Sequence, residues 1–449
     1  MQLVSTCVSK HPAPVQVCLS NIGRWRPEDK VFLDYQSILW YLHLSVTDQP
    51  SLEGGEMHAQ GTPNRNSIKI EITILLVYGL SMMLPFLGTR ENRVSAEQAL
   101  GLTTIGFAAI GILLIAPALV ILSIRFTDER IRRRYRTLSG TVGLISTVIV
   151  LAHFGAPLVS ELGPYARFSP SGGFYLYVTA SVLVFLLHPK LNRFDYLSIA
   201  VVILCILGYW LGGYLTQLGM VQEARSFGSR LGREVVDHLR ITGISIGIST
   251  LLGFPLALAS YQHPSIRKSV FPVLNILQTI PAIALFGLLI APLAALSRAV
   301  PQLRQLGIQG IGNTPAIIAL SLYALYPIIR YSFTAFSEID DQVIQAGSGI
   351  GMNRRQVWTM VRLPLAAPGI LHGIRVALVQ TIGNATLAKL IGGGGLGVLV
   401  FEGLGQASVD MVLLGMLLII GLTVAADAVA HLCITILTPA PLRKEKEAA

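Results

Sequence analysis

Apolar runs of about 20 residues recur along most of this chain, and they restrict its fold more than any other feature. A run of that length crosses the roughly 30 Å hydrocarbon core of a bilayer as an α-helix. Inside lipid, every backbone polar group of such a run must find a partner, which helical structure provides. We therefore predict an all-α, polytopic membrane protein with about ten spans. The predicted spans are residues 70–87, 105–124, 139–159, 173–188, 196–215, 241–260, 270–296, 316–333, 370–391 and 411–437.

Composition and charge agree with a membrane protein. Charged residues make up 13% of the 449 residues, about half the fraction found in soluble domains. The formal net charge is +10, but the basic residues lie mostly in short loops between apolar runs, as in other membrane proteins. We therefore expect contact with membrane lipid and not with nucleic acid. The cysteines Cys7, Cys18, Cys205 and Cys433 form no C-x-x-C pair and indicate neither a disulfide framework nor a metal site.

The loop at residues 125–136 sets the predicted orientation. Its sequence, RFTDERIRRRYR, contains six arginines, so the positive-inside rule assigns it to the cytoplasm. With ten spans, both termini are then cytoplasmic. Residues 219–240 fall outside although they carry four arginines. Charges that alternate there with Val235, Val236 and Leu239 predict an amphipathic helix on the outer surface.

Small residues and prolines inside the spans indicate how the helices pack. Gly243 and Gly247 have the small-xxx-small spacing that favours close helix contact. Pro281, Pro292 and Pro327 lie within apolar runs. We expect them to interrupt those helices beside cavities, where freed backbone groups find partners.

The loop at residues 338–366 begins with a pattern typical of a short helix. Small or apolar residues recur there at i, i+3, i+4 and i+7 and so share one helix face. Gly351 then ends the helix, because glycine most readily adopts the left-handed turn at a helix C-terminus. The residues of this face are Val343, Ala346, Gly347 and Ile350.

A second helix is predicted from about residue 354 to residue 362 of the same loop. Asn353 precedes it as the N-cap, and Gln356 completes a capping box. Leu363 and Pro364 end it, because proline disfavours helical geometry in the residue before it. A helix, turn and helix that project from a membrane can dock in a groove on a partner and transmit motion without chemistry of their own.

This loop resembles the EAA loop of ABC-importer permeases, E-A-A-x3-G-x9-I-x-L-P, which here reads Q-A-G-x3-G-x9-V-x-L-P. The resemblance implies that the first short helix sits on a separate ABC ATPase. Gln345 keeps hydrogen-bonding capacity but lacks the carboxylate of the family's glutamate, so its contact with an arginine of the ATPase would be weaker. Gly347 in place of alanine costs about 1 kcal/mol of helix propensity. The implied ATPase-coupling residues are Gln345, Ala346, Gly347, Gly351, Leu363 and Pro364.

Further stretches resemble one subgroup of these permeases, those for glycine betaine, choline and related osmoprotectants, in a long form with extra N-terminal helices. The resemblance implies a non-catalytic subunit of a binding-protein-dependent importer in the bacterial inner membrane. The implied partners are a second permease copy, an ABC ATPase that binds ATP and Mg, and an external solute-binding protein. The matching stretches are residues 277–282, 310–316, 327–330, 382–387, 391–397 and 401–406.

The resemblance also divides the chain. Residues 232–438 carry it as a permease domain, whereas residues 65–218 carry none of its motifs and form an accessory five-helix membrane module. Residues 439–449 are a cytoplasmic tail. Residues 1–60 are a polar extension, which is either a small cytosolic segment or the result of an assigned start upstream of the true one at Met57.

No cofactor is expected on this chain. The glycine run at residues 392–395 lacks the Lys-Ser/Thr of a nucleotide-binding loop, and the sequence contains no Walker A pattern. The run instead predicts a tight re-entrant turn at the outer face of the membrane.

Ionisable residues inside spans are functional candidates. Lys389 lies near the outer end of its span and can snorkel to the interface. Asp427 and His431 are spaced i, i+4 and form either a structural hydrogen bond near the inner face or a proton relay. Pro281 and Asn384 are candidate lining residues of a solute path.

Two other functions compete with the osmoprotectant importer. An ATP-independent secondary transporter would use Asp427 and His431 for coupling, and an ABC importer of another solute, such as an amino acid, would share the loop. A membrane assembly or signalling component would leave the spacing of the loop motif unexplained. Uptake that depends on an ATPase would indicate an ABC importer, whereas uptake that depends on a proton gradient alone would indicate the secondary transporter.

Overall fold

The computed structural model of the chain describes residues 65–438, apart from residues 94, 127, 164, 188–191 and 306. The predicted polar extension, the alternative start at Met57 and the tail at residues 439–449 lie outside the described residues. Helices dominate the part that is described, and the predicted all-α membrane fold is confirmed.

The first half of the described chain is a helical bundle with a small sheet at one end. Tyr78, Leu113 and Tyr177 are fully buried in its apolar core. The elements are α1 (Arg65–Met83), β1 (Leu87–Arg90), β2 (Gln98–Leu100), α2 (Leu102–Ile105), α3 (Phe107–Ile124), α4 (Glu129–Ser160), β3 (Arg167–Pro170), α5 (Gly172–Leu186), α6 (Arg193–Leu211) and α7 (Gly219–Phe227).

The second half packs around two central helices, α12 (Asn313–Ser337) and α14 (Arg354–Ile391). Ala319, Leu320 and Ala385 are fully buried where these two helices meet. The elements are α8 (Ser229–Gln262), α9 (Pro264–Thr279), α10 (Ala282–Ala299), α11 (Gln302–Gln305), α12 (Asn313–Ser337), α13 (Asp341–Gly349), α14 (Arg354–Ile391), α15 (Gly397–Gly405) and α16 (Val409–Leu437).

Eight of the described helices are long and apolar enough to cross a membrane, namely α3, α4, α6, α8, α10, α12, α14 and α16. Two predicted spans fall on helices outside this group. Helix α5 is apolar but only 15 residues long, and α1 contains Lys69 and Glu71. Every predicted span overlaps a helix, but the predicted count of about ten is not confirmed.

Of the three prolines expected to interrupt helices, Pro281 alone does so. It lies between α9 and α10, and the Tyr323 hydroxyl donates a hydrogen bond to the carbonyl of Ile280 at this break. Pro292 and Pro327 lie inside the continuous helices α10 and α12, so the prediction for them is wrong. A single missing N–H is tolerated in a membrane helix when neighbouring groups compensate.

The segment predicted as one amphipathic surface helix, residues 219–240, is divided between two helices. Gly228 has a positive φ of +50° and separates α7 from α8. Residues after Gly228 belong to the 34-residue helix α8, which continues into the apolar span. Glu234 and His238 are buried there, so the charges of this stretch serve internal contacts and not a membrane surface alone.

Buried ion pairs hold the N-terminal bundle together near its arginine-rich turn. Arg132 donates two hydrogen bonds to Glu71, at 2.8 and 2.5 Å, and both side chains are almost fully buried. Asp195 accepts from Arg133 at 2.6 Å and from Thr137 at 2.7 Å. Several arginines of this turn therefore have a structural role inside the bundle.

The three-stranded antiparallel sheet has the order β2-β1-β3. Leu87 pairs with Leu100 on one side and with Pro170 on the other. Strands of three or four residues are too short to show an alternating sequence pattern. The sequence therefore gives no signal for this sheet.

Candidate functional site

Helix α13 is the first part of the candidate coupling loop. Most of its predicted apolar face is exposed, since Val343 is 42% and Ile350 is 78% exposed. Gln345 and Ala346 are exposed as well. Gly347 is the buried residue on this helix. The surface at the first two motif positions is therefore free to contact another protein.

The turn after α13 follows the predicted geometry. Gly351 has a φ of +88°, in the left-handed region that favours glycine. The Asn353 side chain accepts from the backbone N–H of Gln356, and the Gln356 side chain accepts from that of Asn353, both at 2.9 Å. The predicted stop at Gly351 and the capping box at Asn353 are confirmed.

Leu363 and Pro364 were predicted to end the second helix, and this prediction is wrong. Helix α14 runs through them from Arg354 to Ile391, and Leu363 has helical φ and ψ angles of −65° and −45°. Residues Val357–Arg362 form a π-helical stretch just before the proline. This wider stretch gives the proline ring room that a regular α-helical turn would deny it.

Aromatic side chains anchor the start of α14 on the neighbouring helices. The Trp358 ring lies 5.6 Å from that of Phe336 on α12 and 6.2 Å from that of Tyr261 on α8. Arg362 donates a hydrogen bond to the Tyr261 hydroxyl at 2.8 Å and lies 5.1 Å from the centre of the Trp358 ring. The loop therefore projects from a fixed base and not from a flexible stalk.

A groove of about 760 Å³ runs between α13 and this aromatic base. Its polar and apolar groups are mixed, as expected for a surface that receives part of another protein. The lining includes Tyr261, Ile344, Ser348, Met352, Trp358 and Arg362. We call the end of the bundle that carries α13 the coupling-loop end.

At the opposite end of α14, side chains from α8 and α12 bind the backbone of a glycine loop, residues 392–396. The N–H of Gly394 donates to Asn313 Oδ1 at 3.0 Å, and the N–H of Gly395 donates to Glu234 Oε2 at 2.9 Å. The N–H of Leu396 donates to His238 Nδ1 at 3.2 Å. Three consecutive backbone groups are thus held by three side chains. We call this the glycine-loop end.

Lys389 is part of an ion cluster at this end. Its Nζ lies 3.0 Å from Glu402 Oε1, which also accepts from Arg230 at 2.9 Å. Arg230 in turn contacts Glu234 at 3.3 Å. Burial raises the pKa of Glu402, but the hydrogen bonds from Lys389 and Arg230 outweigh it and hold that pKa below its usual value. Lys389 therefore has an acidic partner within the chain and does not simply snorkel.

The predicted hydrogen bond between Asp427 and His431 is replaced by another contact. Both carboxylate oxygens of Asp427 accept from Arg375 on α14, at 2.5 and 2.7 Å. His431 is exposed, one helical turn further along α16. Within the described ranges, no three His, Cys, Asp or Glu side chains could together hold a metal ion.

Pro281 and Asn384 lie beside the same apolar cluster. Ile280 and Ala282 flank Pro281, Ala385 flanks Asn384, and all three flanking residues pack in that cluster. Near the glycine loop lies a separate cavity of about 560 Å³, and Pro281 and Asn384 are not among the described residues that line it. The described lining includes Arg240, Gln309, Asn313, Thr314 and Gly394.

The side chains that hold the glycine loop are not among the residues predicted from the sequence. Glu234 and His238 are charged or titratable residues in a helix that enters an apolar span, and such residues are functional candidates by default. The alternation of charged and apolar residues in this stretch instead favours a surface helix. Asn313 carried no comparable signal, because an asparagine at the start of a helix is common.

Comparison with known proteins gives two family matches. Residues 249–440 match the family described as binding-protein-dependent transport system inner membrane component. Residues 64–221 match the ABC transporter permease YehY, N-terminal domain.

Individual relatives cover about half of this chain and nearly all of their own length. The osmoprotectant import permease protein OsmW of Salmonella typhimurium is 37% identical over 46% of this chain and 91% of its own. The choline transport system permease protein OpuBB of Bacillus subtilis is 32% identical over 51% and 98%. In the inward-facing MetNI methionine ABC transporter, a chain aligns over 48% of this chain and 99% of its own, with 22% identity and a TM-score of 0.41.

Proposed function

The chain belongs to the binding-protein-dependent inner-membrane permeases of ABC importers, and we propose that it carries glycine betaine, choline or a related quaternary amine. As a permease subunit it is a multi-pass, non-catalytic component of the importer. The observation that carries the cargo assignment is the 37% identity to an osmoprotectant permease over 91% of that relative. Membership of this family argues against the alternative function, a secondary transporter that uses Asp427 and His431 for coupling.

The loop at the coupling-loop end is the docking site for the ATPase, which binds ATP and Mg in this proposal. Gln345 and Ala346 are exposed on α13, and the adjoining groove of about 760 Å³ has room for side chains of a partner. Gly351 sets the angle between α13 and α14 through its left-handed turn. Leu363 and Pro364 contribute by shaping the start of α14 and not by ending it.

The coupling-loop end faces the cytoplasm in this proposal, together with both termini. The arginine-rich turn between α3 and α4 supports the assignment, because arginines next to membrane spans favour the cytoplasmic side. Ion pairs inside the bundle hold some of these arginines, but Arg125, Arg130 and Arg134 are exposed. The glycine loop is then on the outer side, where a solute-binding protein delivers its cargo.

Two copies of the chain form the permease of the importer in this proposal. Gly243 and Gly247 on α8 were expected to pack closely against another helix, yet apart from the adjacent backbone of α8 itself no described atom lies within 4 Å of where their Cβ atoms would be. Small residues on an open helix face allow a second helix to approach closely. This open face supports a contact with a second copy.

The solute path runs beside Pro281 and Asn384 in this proposal. Pro281 breaks the helix pair α9–α10, and Asn384 lies half-buried on α14 next to the same cluster. Residues 232–438 form the permease domain around this path. Residues 65–218 form the accessory membrane module, and α7 links the two.

Transport by the reconstituted complex tests the proposal. The full chain, its ATPase and its binding protein are placed in proteoliposomes, and uptake of labelled glycine betaine, choline, carnitine and amino acids is measured with and without ATP. We expect ATP-dependent uptake of a quaternary amine. Uptake of amino acids alone would overturn the cargo assignment, and uptake that needs a proton gradient but no ATPase would overturn the coupling mechanism.

A matched pair of glycine variants tests the coupling loop itself. Alanine at position 351 must adopt a left-handed conformation that costs about 1–2 kcal/mol, a factor of roughly 5 to 30 in the population of the correct loop. Gly351→Ala should therefore reduce ATPase binding and uptake by about that factor. Gly349→Ala is the control, because Gly349 is helical and has open space around it. Equal effects of the two variants would contradict the role assigned to Gly351.

A further inference from the structure

The N-terminal bundle and the permease half meet at the glycine-loop end. Helix α7 contacts both β3 of the bundle and α16 of the permease half. The backbone N–H of Phe168 in β3 donates to the carbonyl of Gln217, just before α7, at 3.2 Å. We call the side chains that connect the small sheet and α7 with the start of α16 the junction; they are Arg93, Arg167, Ser169, Gly219, Glu223, Asp410 and Met411.

Asp410 is the centre of the junction. It lies in the first turn of α16 and is 1% exposed. Its Oδ2 accepts a hydrogen bond from the Ser169 hydroxyl of β3 at 2.8 Å. Gly219 of α7 lies so close that a Cβ there would be 2.1 Å from the same oxygen. The carboxylate thus fits between a strand and a helix of the bundle side.

Glu223 of α7 joins the same group of contacts. Its Oε1 lies 2.7 Å from Arg167 Nη1 and 3.0 Å from Arg93 Nε. Arg93 also reaches Met411 on α16, with Nη2 3.3 Å from the sulfur. Asp410 Oδ1 and Glu223 Oε2 are buried without a protein hydrogen-bond partner. Such acceptors are normally satisfied by ordered water. The junction is a polar contact, because charged and hydroxyl side chains form it.

The turn between α15 and α16 is strained and depends on its surroundings. Ala407 has a φ of +52°, the one positive value among the non-glycine residues that the structure describes. A non-glycine residue in this region costs about 1–3 kcal/mol and persists where neighbouring structure enforces it. Asp410, three residues later in the first turn of α16, is bound to the bundle through Ser169.

A continuous set of contacts leads from Asp410 to the glycine loop. Helices α15 and α16 approach closely at Gly403, where a Cβ would lie 2.9 Å from Val412. Helix α15 carries Glu402, which binds Lys389 and Arg230 at the glycine-loop end. We propose that Asp410 is a positioning residue through which the N-terminal bundle holds the α15–α16 turn, and with it the glycine loop, at the mouth of the solute path.

The proposal rests on the proposed function for the identity of the mouth, but its structural part is testable without transport. Hydrogen exchange is measured by mass spectrometry on the full chain in nanodiscs. Ser169→Ala and Asp410→Ala should each make amides of residues 392–412 exchange at least about fivefold faster. The double variant, Ser169→Ala with Asp410→Ala, should exchange no faster than Asp410→Ala alone, because the two changes remove the same hydrogen bond. Asp410→Asn keeps an oxygen that can accept from Ser169 and should retain most of the protection.

Ser139→Ala is the matched control. Ser139 is a fully buried serine of the same bundle, and its hydroxyl donates to the carbonyl of Ala116 at 2.7 Å, away from the junction. It should leave exchange of residues 392–412 unchanged. Unchanged exchange in Ser169→Ala and Asp410→Ala, or an equal rise in Ser139→Ala, would overturn the proposal.

An uptake measurement then tests the link to the mouth. In proteoliposomes, Ser169→Ala should lower the maximal rate of glycine betaine uptake severalfold and leave the half-saturating concentration unchanged. An unchanged rate, despite faster exchange, would overturn the link between the turn and transport. A wild-type complex that carries no quaternary amine would instead refute the proposed function, and the exchange comparison would still decide the role of Asp410.

Discussion

Arg375 on α14 and Asp427 on α16 form a two-bonded ion pair, with Nε 2.5 Å from Oδ1 and Nη2 2.7 Å from Oδ2. Both residues lie in helices that are apolar and long enough to cross a membrane. Paired geometry of this kind neutralises two charges that would each be costly in hydrocarbon. It favours a structural role for Asp427, which holds α16 against α14, over proton transfer to His431.

Removing one partner of this pair should destabilise the protein. Arg375→Leu and Asp427→Leu should each cost about 1–2 kcal/mol, the upper range measured for polar contacts between membrane helices. Each variant leaves a charge without its partner, so the double variant should lose less than the sum of the two. Apparent thermal unfolding midpoints of the purified proteins in detergent measure this. Strictly additive losses would mean that the two side chains do not stabilise each other.

The local conformation of the candidate coupling loop was predictable from its sequence. The left-handed turn at Gly351 and the capping box between Asn353 and Gln356 depend on residues within one helical turn of each other. The same short-range rule failed at Pro364, because Leu363 keeps helical φ and ψ angles there and the π-helical stretch before it makes room for the proline ring next to the preceding turn. A sequence pattern does not reveal such a change of helix type.

Contacts between distant parts of the chain were not predictable in the same way. Glu234 and His238 bind loop residues 161 and 158 positions away, and Ser169 binds Asp410 across 241 positions. Hydrophobicity shows that a segment crosses the membrane, but it does not determine how the helix is rotated about its axis. The polar partners inside this bundle depend on that rotation.

Gly347→Ala, which restores the alanine of the family motif, should stabilise α13. An added Cβ would lie 3.5 Å from the Met352 sulfur and 3.8 Å from Val357 and Val361, ordinary contact distances. Alanine is favoured over glycine in a helix by about 1 kcal/mol. Slower hydrogen exchange of residues 343–350 measures the gain, with Gly351→Ala as the variant of opposite sign. Faster exchange in Gly347→Ala would show that the site has less room than these distances indicate.

His238→Ala should loosen the glycine loop. His238 is fully buried, and its Nδ1 accepts from Leu396, so Nε2 carries the proton and donates to the Ile382 carbonyl at 3.0 Å. Alanine leaves the buried N–H of Leu396 unpaired, at about 1–3 kcal/mol, and removes a second contact at the Ile382 carbonyl. The unfolding midpoint should fall and the Leu396 amide should exchange faster. His263→Ala is the control, since His263 is exposed; equal midpoints for the two variants would contradict the prediction.

The ion cluster at Glu402 should weaken in acid. Its folded-state pKa lies below the usual 4.5, so its contribution to stability is fully present above pH 4.5 and is lost as the pH falls through the folded-state pKa. Glu402→Gln should therefore be less stable than wild type at pH 7, and the difference should shrink as the pH approaches 3. Urea unfolding of both proteins between pH 7 and pH 3 measures it. Glu338→Gln, at an exposed carboxylate, should differ little from wild type throughout. A Glu402→Gln difference that stays constant down to pH 3 would mean that Glu402 is not stabilised by Lys389 and Arg230 as a charged group.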